Sequence, residues 1–282
     1  LPAGAAPVVI GVSLAVADGV FAPLPAVAAL VGALLIQVGT NFANDYYDAV
    51  KGADTEDREG FTRVTAGGLI DPEQVKRAMA GTYALALVVG LSSILAGLLY
   101  TGGPYPYGYY GLGDFFVFLY FGLVAVTGTY YVQAVVALGA GPLPLLVPDR
   151  AVATAAVLGG VAAGGLSTAI LVVNNIRDIE TDREAGKRTL AVMLGYRWSR
   201  AEFVGLVGVA YVVPVVLWLG FDYTPGVLLA FVSFPLAVAV TRVVFQRSDG
   251  DALNPALERT GQLFALYALL FATGLVAPGV IS

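Results

Sequence analysis

The chain has 282 residues, 58% of them hydrophobic and only 12% charged, with a mean hydropathy of +0.80; water-soluble domains are not built this way, so it reads as an integral membrane protein. Charge-free apolar runs of about 20 residues recur, which excludes a soluble α/β or β-rich enzyme and also an outer-membrane barrel, whose strands alternate. The net charge is -5 and there is no histidine or cysteine, so thiol chemistry, disulfides, haem ligation and a histidine zinc site are excluded, and any metal must take oxygen ligands.

In chain order, apolar runs bounded by charge, Pro or Gly predict spans near 5–22, 24–44, 77–100, 114–137, 151–176, 201–220, 224–244 and 260–281. The chain opens at Leu1 with no basic leader, and no cleavable signal peptide is expected. Lys and Arg gather in three connectors: 45–77 (Lys51, Arg58, Arg63, Lys76, Arg77), 177–200 (Arg177, Arg183, Lys187, Arg188, Arg197, Arg200) and 242–259 (Arg242, Arg247, Arg259). The positive-inside rule puts all three in the cytoplasm.

That assignment conflicts with the count. Segments on one side need an even number of spans between them, yet only three clear runs separate Arg77 from Arg177. Either a short span hides in the charge-free stretches 78–113 and 115–148, or a stretch near 88–92 is missing. The connector YTGGPYPYGYYGLGD (100–114) reads equally as an interfacial aromatic belt or as a substrate lining.

Two acidic clusters stand out at the ends of apolar runs. In NFANDYYD (41–48), Asn41, Asp45 and Asp48 are spaced by four and three and share one helix face, with Asn44 beside them. In NNIRDIETDREAGKRTLAVMLG (174–195), Asn174, Asp178 and Asp182 are spaced by four. Paired carboxylates at the water end of a span repel unless a cation lies between them, and oxygen ligands select a hard ion such as Mg2+. As plain helix ends these acids would be costly, because a helix C-terminus disfavours negative charge. Basic residues follow each cluster: Lys51, Arg58 and Arg63, then Arg183, Lys187 and Arg188. Metal-holding acids beside Lys and Arg suit a diphosphate ester; the same bases also serve as topological charge.

The stretches 39–70, 98–133 and 171–195 resemble the UbiA-type intramembrane prenyltransferases, nearest the 1,4-dihydroxy-2-naphthoate polyprenyltransferase branch of menaquinone biosynthesis. The resemblance implies one all-α domain over 1–282, a polytopic transmembrane bundle around a central cavity with cytoplasmic cap loops. It implies nine spans where eight are clear. It also implies that Asn41, Asp45, Asp48, Asp178 and Asp182 ligate Mg2+, with all four Asp residues catalytic. Asn41, Asn44, Arg58, Arg63, Asn174, Asn175, Lys187 and Arg188 would bind substrate; Arg183 and Lys51 are weaker candidates. Where many members carry a further Asp, this chain has Gly52, so Asn41 or Asp54 would make up the ligand set.

The reaction so implied transfers a polyprenyl chain from its diphosphate to the naphthoate with loss of pyrophosphate and carbon dioxide, giving demethylmenaquinone. A cationic prenyl carbon needs a closed cavity lined by aromatic faces, for which Tyr105, Tyr107, Tyr109, Tyr110, Tyr130 and Tyr131 are candidates. The Gly- and Ala-rich run 159–169 predicts close helix packing around it. The expected partners are polyprenyl diphosphate, an aromatic acid and membrane lipid, with no nucleic acid. Three alternatives stay open: another acceptor such as 4-hydroxybenzoate or homogentisate, a cation transporter using the acids as an ion path, and a membrane phosphotransferase.

Overall fold

The computed structural model describes residues 2–50, 71–86, 98–100, 102, 106–140 and 147–281. Nine longer helical elements, with a short 3-10 helix at Tyr107–Tyr110, carry the regular structure of these residues, and no strand occurs among them. In chain order they are α1 (Pro2–Ala17), α2 (Pro23–Val50), α3 (Pro72–Ala86), α4 (Gly113–Ala137), α5 (Thr154–Arg177), α6 (Ile179–Glu184), α7 (Leu190–Gly220), α8 (Pro225–Gln246) and α9 (Gly250–Ile281). Six of them, α2, α4, α5, α7, α8 and α9, are long and apolar enough to cross a membrane. Helices are the form in which a spanning backbone satisfies its own hydrogen bonds.

The most buried of these is α5. Its Gly and Ala residues let α1, α4, α7 and α9 pack directly on it, as small residues do where no water drives association. At Gly122 in α4, a Cβ would stand 2.4 Å from the Cα of Gly164 and 2.5 Å from the carbonyl oxygen of Gly160. This crossing lies where α4 winds as a π-helix over Phe118–Val124, a wide turn that shifts the register of the side chains beyond it. Buried polar groups are shared between helices. The Tyr267 hydroxyl donates to the Ala210 carbonyl at 2.7 Å, and Tyr211 and Ser233 share a hydrogen bond of 2.7 Å. Helix α9 packs back on α1 and closes the bundle.

The residues flanking the span expected over 77–100 both contact α2. Lys76 in α3 places its ammonium 5.8 Å from the centre of the Tyr46 ring, and a Cβ on Gly102 would stand 2.9 Å from Cε2 of Tyr47. Residues 76 and 102 therefore sit against adjacent residues at the same end of α2. Residues 87–97 of the crossing expected over 77–100 lie outside the described residues.

Other boundaries also move. Helix α2 runs through the whole first acidic motif instead of ending near residue 44. Helix α7 starts at Leu190, ahead of the expected 201, with Thr189 accepting a capping bond from the Val192 amide at 3.4 Å and a break at Gly195 (φ 70°).

Candidate active site

The first acidic cluster owes its geometry to the unbroken helix. Since α2 continues to Val50, the four-and-three spacing holds, and Asp45 and Asp48 are buried at 5% and 4% exposure. Charged groups are buried this deeply only where partners or a bound ion compensate them. Asn44 is half-buried. Asn41 departs from the set: it is exposed, and its side-chain oxygen accepts from Gln37 at 3.3 Å.

The second cluster departs from the sequence reading in one respect. Asn174, Asp178 and Asp182 do not share one continuous helix, because α5 ends at Arg177 and Asp178 (φ -96°, ψ 10°) forms the junction to α6. The spacing survives the break because the Asp178 amide bonds the Asn174 carbonyl at 3.1 Å and the Asp182 amide bonds the Asp178 carbonyl at 2.8 Å. Asn175 is buried on the last turn of α5.

After α6 the chain turns through Gly186 (φ 72°), and the Lys187 amide reaches back to the Asp182 carbonyl at 2.9 Å. That is the glycine-dependent helix stop expected of this left-handed position. It returns the Lys187 ammonium to within 3.4 Å of Asp182 Oδ1. The Arg188 side chain is exposed.

Arg177 organises this cluster. Its Nε and Nη2 donate to the two carboxylate oxygens of Asp178, each at 2.7 Å. Nη2 also donates to Asn174 Oδ1 at 2.8 Å, and Nη1 to Asn254 Oδ1 at 2.7 Å. The planar guanidinium fork suits this bidentate pairing. It also ties the first turns of α9 to the end of α5.

Tyr109 joins the two clusters. Its hydroxyl donates to Asp48 Oδ1 at 2.5 Å, its ring lies 4.8 Å below the Lys187 ammonium, and its carbonyl accepts from the Arg188 amide at 2.8 Å. Two residues on, Gly111 (φ 76°) admits the connector against the start of α7, where a Cβ would stand 2.2 Å from Cε of Met193. Acids more than a hundred residues apart in sequence thus meet at one end of the bundle. Tyr109→Phe removes the donor to a buried carboxylate and is expected to cost about 1–3 kcal/mol, read as a lower melting temperature of the purified protein. Wild-type stability would contradict the bridge.

Some expected site residues are not brought here. Arg58 and Arg63, with Lys51 and Asp54, lie outside the described residues, as do Tyr105 and the side chain of Tyr107. Tyr130 is at the opposite end: it is buried, and its hydroxyl donates to Asp18 Oδ2 at 2.8 Å. Asp18 sits just before the start of α2, about 33 Å of helix from Asp45. Tyr130 therefore pins α1 to α4 and does not line the acidic end. Tyr223 donates to the same carboxylate at 2.5 Å. Burial, then the hydrogen bond to Asp18, pushes its phenol far above the ordinary range, so it stays a donor.

Among the described residues no three acidic side chains converge as a metal cluster. Each cluster offers two carboxylates with amide oxygens nearby, a donor set of the right hardness for Mg2+, which usually keeps few protein ligands and takes the rest from water and substrate phosphates. The residues therefore fit the ion if diphosphate completes its shell.

Comparison with known proteins gives a consistent picture. The family model described as the UbiA prenyltransferase family matches residues 5–270. A 1,4-dihydroxy-2-naphthoate octaprenyltransferase of Escherichia coli is 37% identical, over 98% of this chain and 91% of its own. That of Mycobacterium tuberculosis is 38% identical, over 100% and 95%. Among solved structures, the apo UbiA homolog from Aeropyrum pernix superposes with a TM-score of 0.68 at 15% identity, covering 99% of this chain and 98% of that one. The UbiA homolog from Archaeoglobus fulgidus bound to DMAPP and Mg2+ gives 0.52 at 16% identity, covering 96% of each.

Proposed function

The chain belongs to the UbiA prenyltransferase family, and from that premise we propose that it transfers a polyprenyl chain from polyprenyl diphosphate to 1,4-dihydroxy-2-naphthoate, releasing pyrophosphate and carbon dioxide and yielding demethylmenaquinol, the reduced form of demethylmenaquinone. The acceptor follows from the relatives, whose names specify the naphthoate. The observation that carries the reaction type is the pair of buried acid clusters joined through Tyr109, with the Lys187 ammonium standing between Asp182 and the Tyr109 ring. In a cation path the acids belong near the midplane; here they crown one end.

In this reading Asp45 and Asp48, with Asn41, would hold one Mg2+, and Asp178 and Asp182 a second. When bound, Mg2+ neutralises diphosphate oxygens and favours their departure. Lys187, with Arg58, Arg63 and Arg188, would stabilise the remaining negative charge on the leaving group. Asn44, Asn174 and Asn175 would orient the substrate's polar head. Arg177 holds the Asp178 carboxylate in one rotamer before substrate arrives, so that little reorganisation remains at the moment of bond breaking. The prenyl C1 becomes cationic as its C–O bond breaks. The acceptor carbon bearing the carboxylate attacks it, and loss of carbon dioxide restores the aromatic ring. The Tyr109 ring presents a face that tolerates positive charge beside this centre, while its hydroxyl keeps Asp48 aimed inward.

The acidic end is proposed to face the cytoplasm of the cell membrane, since the basic connectors gather there. Membranes carrying the protein, supplied with Mg2+, a long prenyl diphosphate and labelled dihydroxynaphthoate, are expected to form a prenylated, decarboxylated quinol. A parallel reaction with 4-hydroxybenzoate is expected to give little product. Product from the benzoate alone would overturn the acceptor, and none from either would overturn the assignment.

A further inference from the structure

An apolar groove of about 550 Å3 runs between α7 and α8, and no residue of the acid clusters lines it. Its walls are Val204, Val207 and Tyr211 on one helix and Phe234, Ala237 and Phe245 on the other. Val204, Phe234 and Phe245 are exposed, so the groove opens on the outer, lipid-facing surface. At its far end Tyr211 and Phe234 meet edge to face at 5.2 Å. At its open mouth stand Arg242 and Gln246.

The mouth lies at the membrane–water boundary. Arg200, near the start of the long arm of α7, donates to the Val244 carbonyl at 2.9 Å and to the Arg247 carbonyl at 3.0 Å, which levels the two helices. Trp198, 61% exposed, marks the same level, where tryptophan prefers the headgroup region. Four arginines crowd this corner, and three have partners: Arg200 the two carbonyls, Arg247 the Asp249 carboxylate at 2.7 Å, and Arg197 the Trp198 ring at 5.7 Å. Arg242, at the mouth of the groove, is the one of the four with no hydrogen bond, ion pair or ring contact among the described residues.

We infer that this groove binds a phospholipid with an anionic headgroup, its phosphate on Arg242 and one acyl chain lying between α7 and α8. Three observations fix the occupant. From Phe234 to Gln246 the groove is about 18 Å long, close to the roughly 15 Å depth of one leaflet's hydrocarbon. A partner helix, about 10 Å across, would need roughly twice the volume present. A long polyprenyl tail would overrun the length of this groove, and a diphosphate would find one cation here and none of the acids of the other site. The exposed, unpartnered guanidinium at the headgroup level supplies the charge complement for a phosphate.

Two variants test this without disturbing the fold. A Cβ on Gly208, which lines the groove, meets no atom within 4 Å, so Gly208→Leu fills the groove instead of clashing, and leucine favours helix over glycine. Arg242→Gln removes the charge alone. The full protein is placed in nanodiscs of dioleoyl phosphatidylglycerol or dioleoyl phosphatidylcholine, and retained phospholipid after detergent washing is counted by phosphate analysis. The wild type is expected to melt higher in phosphatidylglycerol and to retain that lipid. Both variants are expected to lose the difference while KM for prenyl diphosphate is unchanged. Persistence of the phosphatidylglycerol effect in both variants would overturn the site. So would a raised KM for prenyl diphosphate in Gly208→Leu with lipid retention unaltered, because the groove would then be a prenyl channel.

Discussion

Asp45→Asn and Asp182→Asn are each expected to lower prenyl transfer by at least about 100-fold, the scale on which losing one preorganised electrostatic group slows a reaction. Asparagine keeps the volume of aspartate and stays compatible with both helices, so the melting temperature should change little. What is lost is a buried negative charge, Asp45 at 5% exposure and Asp182 at 9%. The two positions come from different clusters by design. If either variant turns over at the wild-type rate, one cluster is dispensable and the two-cluster reading fails. If both fail and also lose tight binding of prenyl diphosphate, the acids act in holding the substrate's head. Each measurement needs only the purified protein, Mg2+ and saturating acceptor.

Arg177→Met should do its damage first to the fold. The Arg177 side chain is 2% exposed and that of its partner Asp178 4%. Removing one member of a buried ion pair leaves the other charged and uncompensated, a loss of about 3–5 kcal/mol. Thermal unfolding should show it as a large drop in melting temperature. The double variant Arg177→Met with Asp178→Asn removes both charges and should recover most of that loss, since the two effects are coupled, yet remain inactive. Arg177→Lys keeps the charge but cannot reproduce contacts to Asp178, Asn174 and Asn254 together, and should fall between. A wild-type melting temperature in Arg177→Met would show that the network is an incidental contact.

The acid clusters were legible in the sequence because their signal is local. A spacing of four and three survives any tertiary arrangement so long as the backbone stays helical, and the backbone bonds across Asp178 preserve it even where the helix breaks. The contacts that make a site of them were not legible. The Tyr109 to Asp48 bond spans 61 positions and the Arg177 to Asn254 bond 77, and no periodicity encodes either. Tyr109 was one tyrosine among six candidates, and composition does not choose between them. Arg177 was counted as topological charge, a role that any arginine at a span end would fill equally well. The placement of Tyr130 could have been read: sixteen residues beyond Asp114 on one helix is about 24 Å from the acidic end. That Lys76 and Gly102 meet the same end of α2 was signalled only by the arithmetic of the charges, because the apolar run between them looks like a single crossing.

The meeting of both acid clusters at one end of α2 has an electrical consequence for the proposed reaction. The diphosphate would bind, break and depart from one face. Moving an elementary charge across a membrane held at 100 mV costs about 2.3 kcal/mol, and a leaving pyrophosphate carries several. Chemistry confined to one end moves none of that charge through the field. Under the proposed reaction prenylation would be electrically silent, and its rate is expected to be the same whether or not the membrane is energised.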